Sequence, residues 1–484
     1  MQLELDRPTP IGKRGFLLLV LIELLVLVMV LTLSPRVLLP PIAFAVGIPL
    51  LFILPMYPYI LFFFLILTTA LDVTGIVMPN ISFFGTSTPL TGFHLVLGAT
   101  LIFGIANFFY KKRTLFPRIE LTLPVILYLS VVAISVGYSP NKGEAIVQFL
   151  RLLALALLSF LTVFLVENRK EVTFVVASFV LCATAIAALG IFQTLNQQYF
   201  LPATFVQAVG ASVPRATGTF HNPNTFATFL MVAIVLCVSL LLGIKVSWRR
   251  LVILLAIIIT LLGGLITTFS RANWLATLMA VFFISVFTRR FKLFMTILLV
   301  AVCIIASISL ISPNFAQLVL GRFTSIFATF SKFGSDAAVS STSRVQFIKA
   351  AWSMFLSHPL LGIGTRGFPV LFEKYRPIDF PIWLPVRECH TLPATILAEL
   401  GIVGFSIYLW FVFVVLRAGV KAFKSMDDSY LKALSVGFLS TFIGFQVSMF
   451  FTADITNNYF WFMIGMLFAV REIGMRSQSS ENRA

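Results

Sequence analysis

Charge is what this sequence has least of. Only 11% of its 484 residues are Asp, Glu, Lys or Arg, against roughly 25% in soluble domains. So few charges cannot clothe a water-facing surface, which excludes an ordinary soluble fold. Cysteine and histidine are equally scarce, at four each. Cys182, Cys237 and Cys303 fall in apolar runs and only Cys389 lies outside one, so no outside pair exists for a structural disulfide. His94, His221, His358 and His390 are scattered, and there is no CxxC, HExxH or DxD pattern. The expectation is therefore no metal and no cofactor.

Apolar sequence is what is abundant, at 59% of the chain. The run from Gly15 to Ser34 follows Arg7, Lys13 and Arg14 as a signal peptide would, but it is about 20 residues long and ends at Pro35-Arg36 instead of a small-residue cleavage site. It reads as a first spanning helix, with Glu23 turned into the bundle. Further runs recur near 37–55, 58–71, 92–110, 121–138, 145–166 and 172–193, then near 222–243, 251–269, 272–288, 293–312, 391–416, 431–452 and 455–470. The expected architecture is an all-α, polytopic transmembrane bundle of about 12–14 spans. Residues 1–200 form its N-terminal helices, 201–470 a core containing a long extracytoplasmic loop at 313–390 with short helices, and 471–484 a cytoplasmic tail.

The net charge of +17 would suggest nucleic acid in a soluble protein. Here it is explained by topology. Lys111, Lys112, Arg113 and Arg118, Arg169 and Lys170, Lys245, Arg249 and Arg250, Arg289 and Arg290, and Arg417, Lys421 and Lys424 all fall in alternate connections, the pattern of cytoplasmic loops. No nucleic-acid partner is expected.

On the other side basic residues are fewer and mostly arginine, among them Arg36, Arg215, Arg271, Arg344, Arg366 and Arg387. Arginine grips phosphate oxygens in pairs, so an anionic ligand outside the cytoplasm is the natural reason for them. Arg215 lies in VPRATGTFHNPN, where Gly218 and Pro223 mark turns and Asn222 or Asn224 can cap the next helix. Arg271 lies in TFSRANW, between two spans with almost no loop, beside Trp274 as an interfacial anchor. In the long loop, Ser341, Thr342 and Ser343 offer N-caps to a helix whose Val345, Ile348, Trp352 and Phe355 form an apolar stripe, with Arg344 and Lys349 off it. His390 opens the span from Thr391, next to Arg387 and Glu388. Near neutral pH its imidazole can accept a proton from a hydroxyl.

SRANW, RVQFIKAAWSMFLSHPLLGIG and CHTLPATILAELGIVG, preceded by RATGTFHNPNTFATFL, resemble the O-antigen ligase and polymerase superfamily of bacterial envelope glycan enzymes over about residues 200 to 470. The resemblance implies a metal-independent, inverting glycosyltransferase of the GT-C type in the bacterial inner membrane, its active site facing outward. Its donor would be a glycan on undecaprenyl diphosphate, and its acceptor a glycan or glycolipid such as lipid A-core. It further implies that Arg215 and Arg271 hold the donor diphosphate and that His390 is catalytic, with Arg344 a further donor arginine and Arg387, Glu399 and Asn224 in support. Glu399, roughly 13 Å deeper than His390 along its helix, reads as a buried structural partner, with Arg151 as its candidate counter-ion.

Two alternatives stay open. A polymerase of the same superfamily shares the donor chemistry. A flippase for lipid-linked glycans would also be basic and polytopic, but it should carry charge near the bilayer midplane and related halves. Here the charges gather at one face.

Overall fold

The computed structural model describes residues 59–71, 80–83, 86–89, 91–110, 119–198, 208–209, 213–243, 247–311, 317, 319, 321, 339–378, 380 and 388–481. The expected spans at 15–34 and 37–55, with Glu23 and Arg36, lie outside these, as does Arg387. The described chain is helical apart from two small hairpins, β1 (Asn80–Phe83) with β2 (Thr86–Pro89) and β3 (Ala208–Val209) with β4 (Val213–Pro214). Its helices are α1 (Ile60–Ala70), α2 (Gly92–Tyr110), α3 (Thr122–Tyr138), α4 (Lys142–Leu165), α5 (Arg169–Asn196), α6 (Pro223–Gly243), α7 (Trp248–Thr267), α8 (Arg271–Thr288) and α9 (Phe291–Ile311). After the long loop come α10 (Val339–Ser357), α11 (Gly367–Leu371), α12 (Leu392–Ser425), α13 (Ser429–Met449) and α14 (Asn458–Glu481). Among the described residues seven helices are long and apolar enough to cross a membrane. The chain is an all-α, multi-pass membrane protein.

Helix α6 forms the axis. Every residue from Phe229 to Val238 is fully buried, as expected of a helix apolar on all sides. Helices α8 and α13 pack on it, while α14 joins α13 to α4. Small residues bring the axes close: a Cβ on Gly437 of α13 would collide with Ser239 of α6. The outer faces carry exposed Ile134, Ile253, Met295, Leu299 and Phe413, the surface that lipid covers.

The basic connections meet at one end. Arg169 pairs with Asp428 at 2.8 Å, and Glu120 receives Lys421 at 3.7 Å and Arg471 at 3.2 Å. Helix α14 runs on to Glu481 and Arg471 is buried in it, so most of the expected 471–484 tail continues a helix. Its apolar run is short, but the Glu120 carboxylate and the Phe468 ring accommodate the arginine that follows.

Two local readings are corrected. Helix α10 begins at Val339, so Ser341 to Ser343 lie within it and not at its cap. Its buried face is Phe347, Ala350, Ala351 and Met354, whereas Ile348 and Trp352 of the expected stripe are exposed. Where α10 packs on α12 two alanines sit between Phe347 and Met354 on the inward face, while Ile348 and Trp352 face outward.

Helix α12 is broken at Gly401, which has φ 63° and ψ −164°. A break at this depth strips amides and carbonyls of their helical partners, and lipid offers none. The HPLLGIG loop supplies them. Ile363 and Gly364 amides donate to the Ala398 and Glu399 carbonyls at 2.9 Å, and Ile402 and Val403 amides donate to the Pro359 and Leu360 carbonyls at 2.9 and 3.3 Å. Gly362 and Gly364 also have positive φ, and a Cβ on Gly362 or Gly401 would strike the opposing backbone. The long loop is thus spliced into a spanning helix, which fixes α10 relative to the start of α12.

Candidate active site opposite the basic loops

The Arg215 segment is built from buried polar contacts. Gln193 of α5 accepts from the Thr217 and Gly218 amides at 3.2 and 2.9 Å and donates to the Gly218 carbonyl at 2.7 Å, holding a turn that needs φ 57° at Gly218. Arg215 then forks: Nε donates to the Thr268 carbonyl at 2.7 Å and Nη2 to Asn224 Oδ1 at 2.8 Å. Asn222, not Asn224, caps α6 by accepting from the Asn224 amide at 2.8 Å.

Asn224 belongs to a polar knot in an apolar bundle. Ser270 donates to its Oδ1 at 2.9 Å and Asn273 Nδ2 to its carbonyl at 3.1 Å. Thr228 and Ser448 donate to Asn273 Oδ1 at 2.9 and 3.0 Å. The knot joins α6, the α7–α8 turn and α13. Satisfied networks of this kind rigidify the groups they touch. Ser270, Asn273, Thr228 and Ser448 were not singled out from the sequence, where Ser, Thr and Asn inside apolar runs were the available signal.

Arg271 is the first residue of α8. The α7–α8 turn takes positive φ at Phe269, and α8 has neither a side-chain cap nor an acidic residue in its first turn. The partial positive charge of the helix end therefore adds to that of the guanidinium. Trp274, expected as an interfacial anchor, instead donates its indole N–H to the Leu265 carbonyl at 3.0 Å and braces α8 on α7.

Arg344 comes from α10 and His390 from the start of α12; Arg344 reaches the charge of Arg271 at this end of α8, and His390 reaches Arg344. Arg344 lies 6.0 Å from the Phe451 ring centre, and lost hydration, then repulsion from Arg271, draw its pKa below the ordinary guanidinium value. His390 has φ 55° and packs against Phe347 with ring centres 5.8 Å apart. Its other face is exposed. Desolvation on the packed side, and then the Arg344 charge, lower its pKa from the ordinary histidine value. Like charges drawn together raise the free energy of the empty site, and a bound anion relieves it.

Glu399 turns away from this cluster. Its Oε1 accepts from the Phe368 amide of α11 at 3.2 Å, so it braces the spliced loop. The expected Arg151 counter-ion is replaced: the nearby cation acting on Glu399 is Arg366, and Arg151 acts on Asp454. Two carboxylates far apart in sequence, Glu144 and Glu388, converge in space. Arg366 meets Glu144 at 2.9 Å and Glu388 at 3.8 Å.

Residues 256–409 match the family model described as O-antigen ligase. Over that stretch the chain is similar to the O-antigen ligase family. It is also similar to the teichuronic acid biosynthesis protein TuaE of Bacillus subtilis (strain 168), with 24% identity over 341 residues that cover 68% of this chain and 67% of that protein. The matched stretch contains Arg271, Arg344, His390 and Glu399, while Arg215, Asn224 and Ser448 lie outside its limits and reach it through the polar knot. The chemistry available is stabilisation of a concentrated negative charge beside a largely neutral imidazole.

Proposed function

We propose that this protein is an inverting, metal-independent membrane glycosyltransferase of the O-antigen ligase type. It transfers a glycan from undecaprenyl diphosphate to an acceptor sugar at the outer face of the bacterial cytoplasmic membrane. One observation carries the reading: at the membrane end opposite the basic loops Arg344, distant in sequence from both, lies within electrostatic reach of Arg271 on one side and of His390 on the other. Cleaving a glycosyl diphosphate builds negative charge on the leaving group, which fixed guanidinium groups stabilise in place. In this reading Arg215, Arg271 and Arg344 hold the diphosphate, and His390 takes the proton of the attacking hydroxyl.

A polymerase adding one lipid-linked repeat to another is the second reading, favoured by the relative named for teichuronic acid biosynthesis. The deciding experiment is an EDTA-treated assay of the purified protein with an undecaprenyl-diphosphate glycan and candidate acceptors, wild type beside His390→Ala. Acceptor-dependent release of undecaprenyl diphosphate by the wild type alone is expected, and product length separates ligase from polymerase. Movement of intact lipid-linked glycan across liposomes without release would replace both readings with a transporter.

A further inference from the structure

A cavity of about 60 Å³ opens beside the start of α12, walled by Gln148, Thr365, Arg366, Glu388 and Glu399 over an apolar floor that includes Tyr128. It holds a few waters or the hydroxyl-bearing edge of one sugar, and is too small for a whole ring. Glu388 and Cys389 form part of its wall, and the next residue is His390. The chain thus runs directly from the cavity wall to the imidazole on which Arg344 acts. On one side Arg344 acts on His390 and is itself repelled by Arg271. On the other, Glu388 acts on both Glu399 and Asp454, and Arg366 is held by Glu144 and Glu388.

We propose that this cavity is the acceptor subsite, binding the hydroxyl-bearing edge of a neutral sugar so that a neighbouring hydroxyl of the same sugar reaches His390. The proposal rests on the glycosyltransferase reading of the adjacent basic cluster. Carboxylates and an amide match sugar hydroxyls as acceptors and donors. One guanidinium, Arg366, cannot neutralise both Glu144 and Glu388, and the net negative charge left at the wall disfavours a diphosphate or a uronate, so charge sorts the donor to the arginines and the neutral acceptor to the cavity. Arg366 adopts φ 60° at the head of α11, and its two ion pairs keep it in the wall.

The test uses the full-length protein in nanodiscs, with oligosaccharides released by mild acid from the producing cells' envelope glycans and fractionated by charge. Binding of the neutral fraction is read by saturation-transfer NMR. His390→Ala should still bind it, whereas Ala453→Phe, which fills the cavity from a lining position, should weaken binding at least tenfold. In the transfer assay Ala453→Phe and Gln148→Ala should raise the acceptor KM about tenfold and the donor KM less than twofold, with Arg271→Ala doing the reverse. Gln148→Ala serves where Ala453→Phe lowers the melting temperature. Unchanged acceptor KM and binding in both cavity variants would overturn the subsite, as would stronger binding of the acidic fraction. Binding that the cavity variants abolish in a protein without transferase activity would uphold the subsite and defeat the enzyme reading.

Discussion

At the scale of single residues, the basic cluster makes two predictions. His390 must be neutral to accept a proton, and its lowered pKa keeps it neutral further into acid. The acid limb of kcat/KM should therefore fall below the ordinary histidine value of about 6.5. Arg344→Gln removes one of the two causes, so the limb should move up toward that value; an unmoved limb would detach Arg344 from the histidine. Arg215 spends Nε and Nη2 on two acceptors at once, a fork that an ammonium cannot reproduce. Arg215→Lys should lose about tenfold or more in kcat/KM for the donor, measured with acceptor saturating; full retention would reduce Arg215 to a point charge.

The decisive element is the broken helix α12. Its partners across the break are backbone groups of HPLLGIG, so its integrity depends on three glycines with positive φ. Gly401→Ala forces a side chain into a left-handed conformation and against Leu360, with an expected cost of more than about 1 kcal/mol. A lower melting temperature in detergent, and transferase activity lost faster than folded protein, are the expected results. A variant as stable and active as the wild type would show that the splice does not set the positions of Arg344 and His390.

At the scale of the whole molecule, ion pairs tie both ends. The basic end is tied by ion pairs, of which Glu120 with Lys421 and buried Arg471 is the most consequential. Glu120→Gln strands a buried guanidinium and should destabilise the protein by about 1–3 kcal/mol, read as a fall in melting temperature. The two ends should also face opposite compartments. In a background without native cysteines, Ser425→Cys should react with an impermeant thiol reagent only in inside-out vesicles and Thr452→Cys only in right-side-out ones. Both reacting from one side would invert the topology on which the outward-facing site depends.

Membrane residence and the alternation of basic connections were determined by the sequence itself, because hydropathy and charge are local sums that need no knowledge of packing. The phrases around Arg271, Arg344 and His390 were legible through their resemblance to a known family, although the start of α10 was not. What only the tertiary structure decided was proximity and facing. The outward turn of Trp352, the splice of HPLLGIG into α12, the pairing of Glu399 with α11 in place of Arg151, and the convergence of Glu144 and Glu388 on Arg366 all join segments far apart in the chain. The physical reason is that a spanning helix can be apolar on every side, so its sequence carries little record of which face meets protein and which meets lipid.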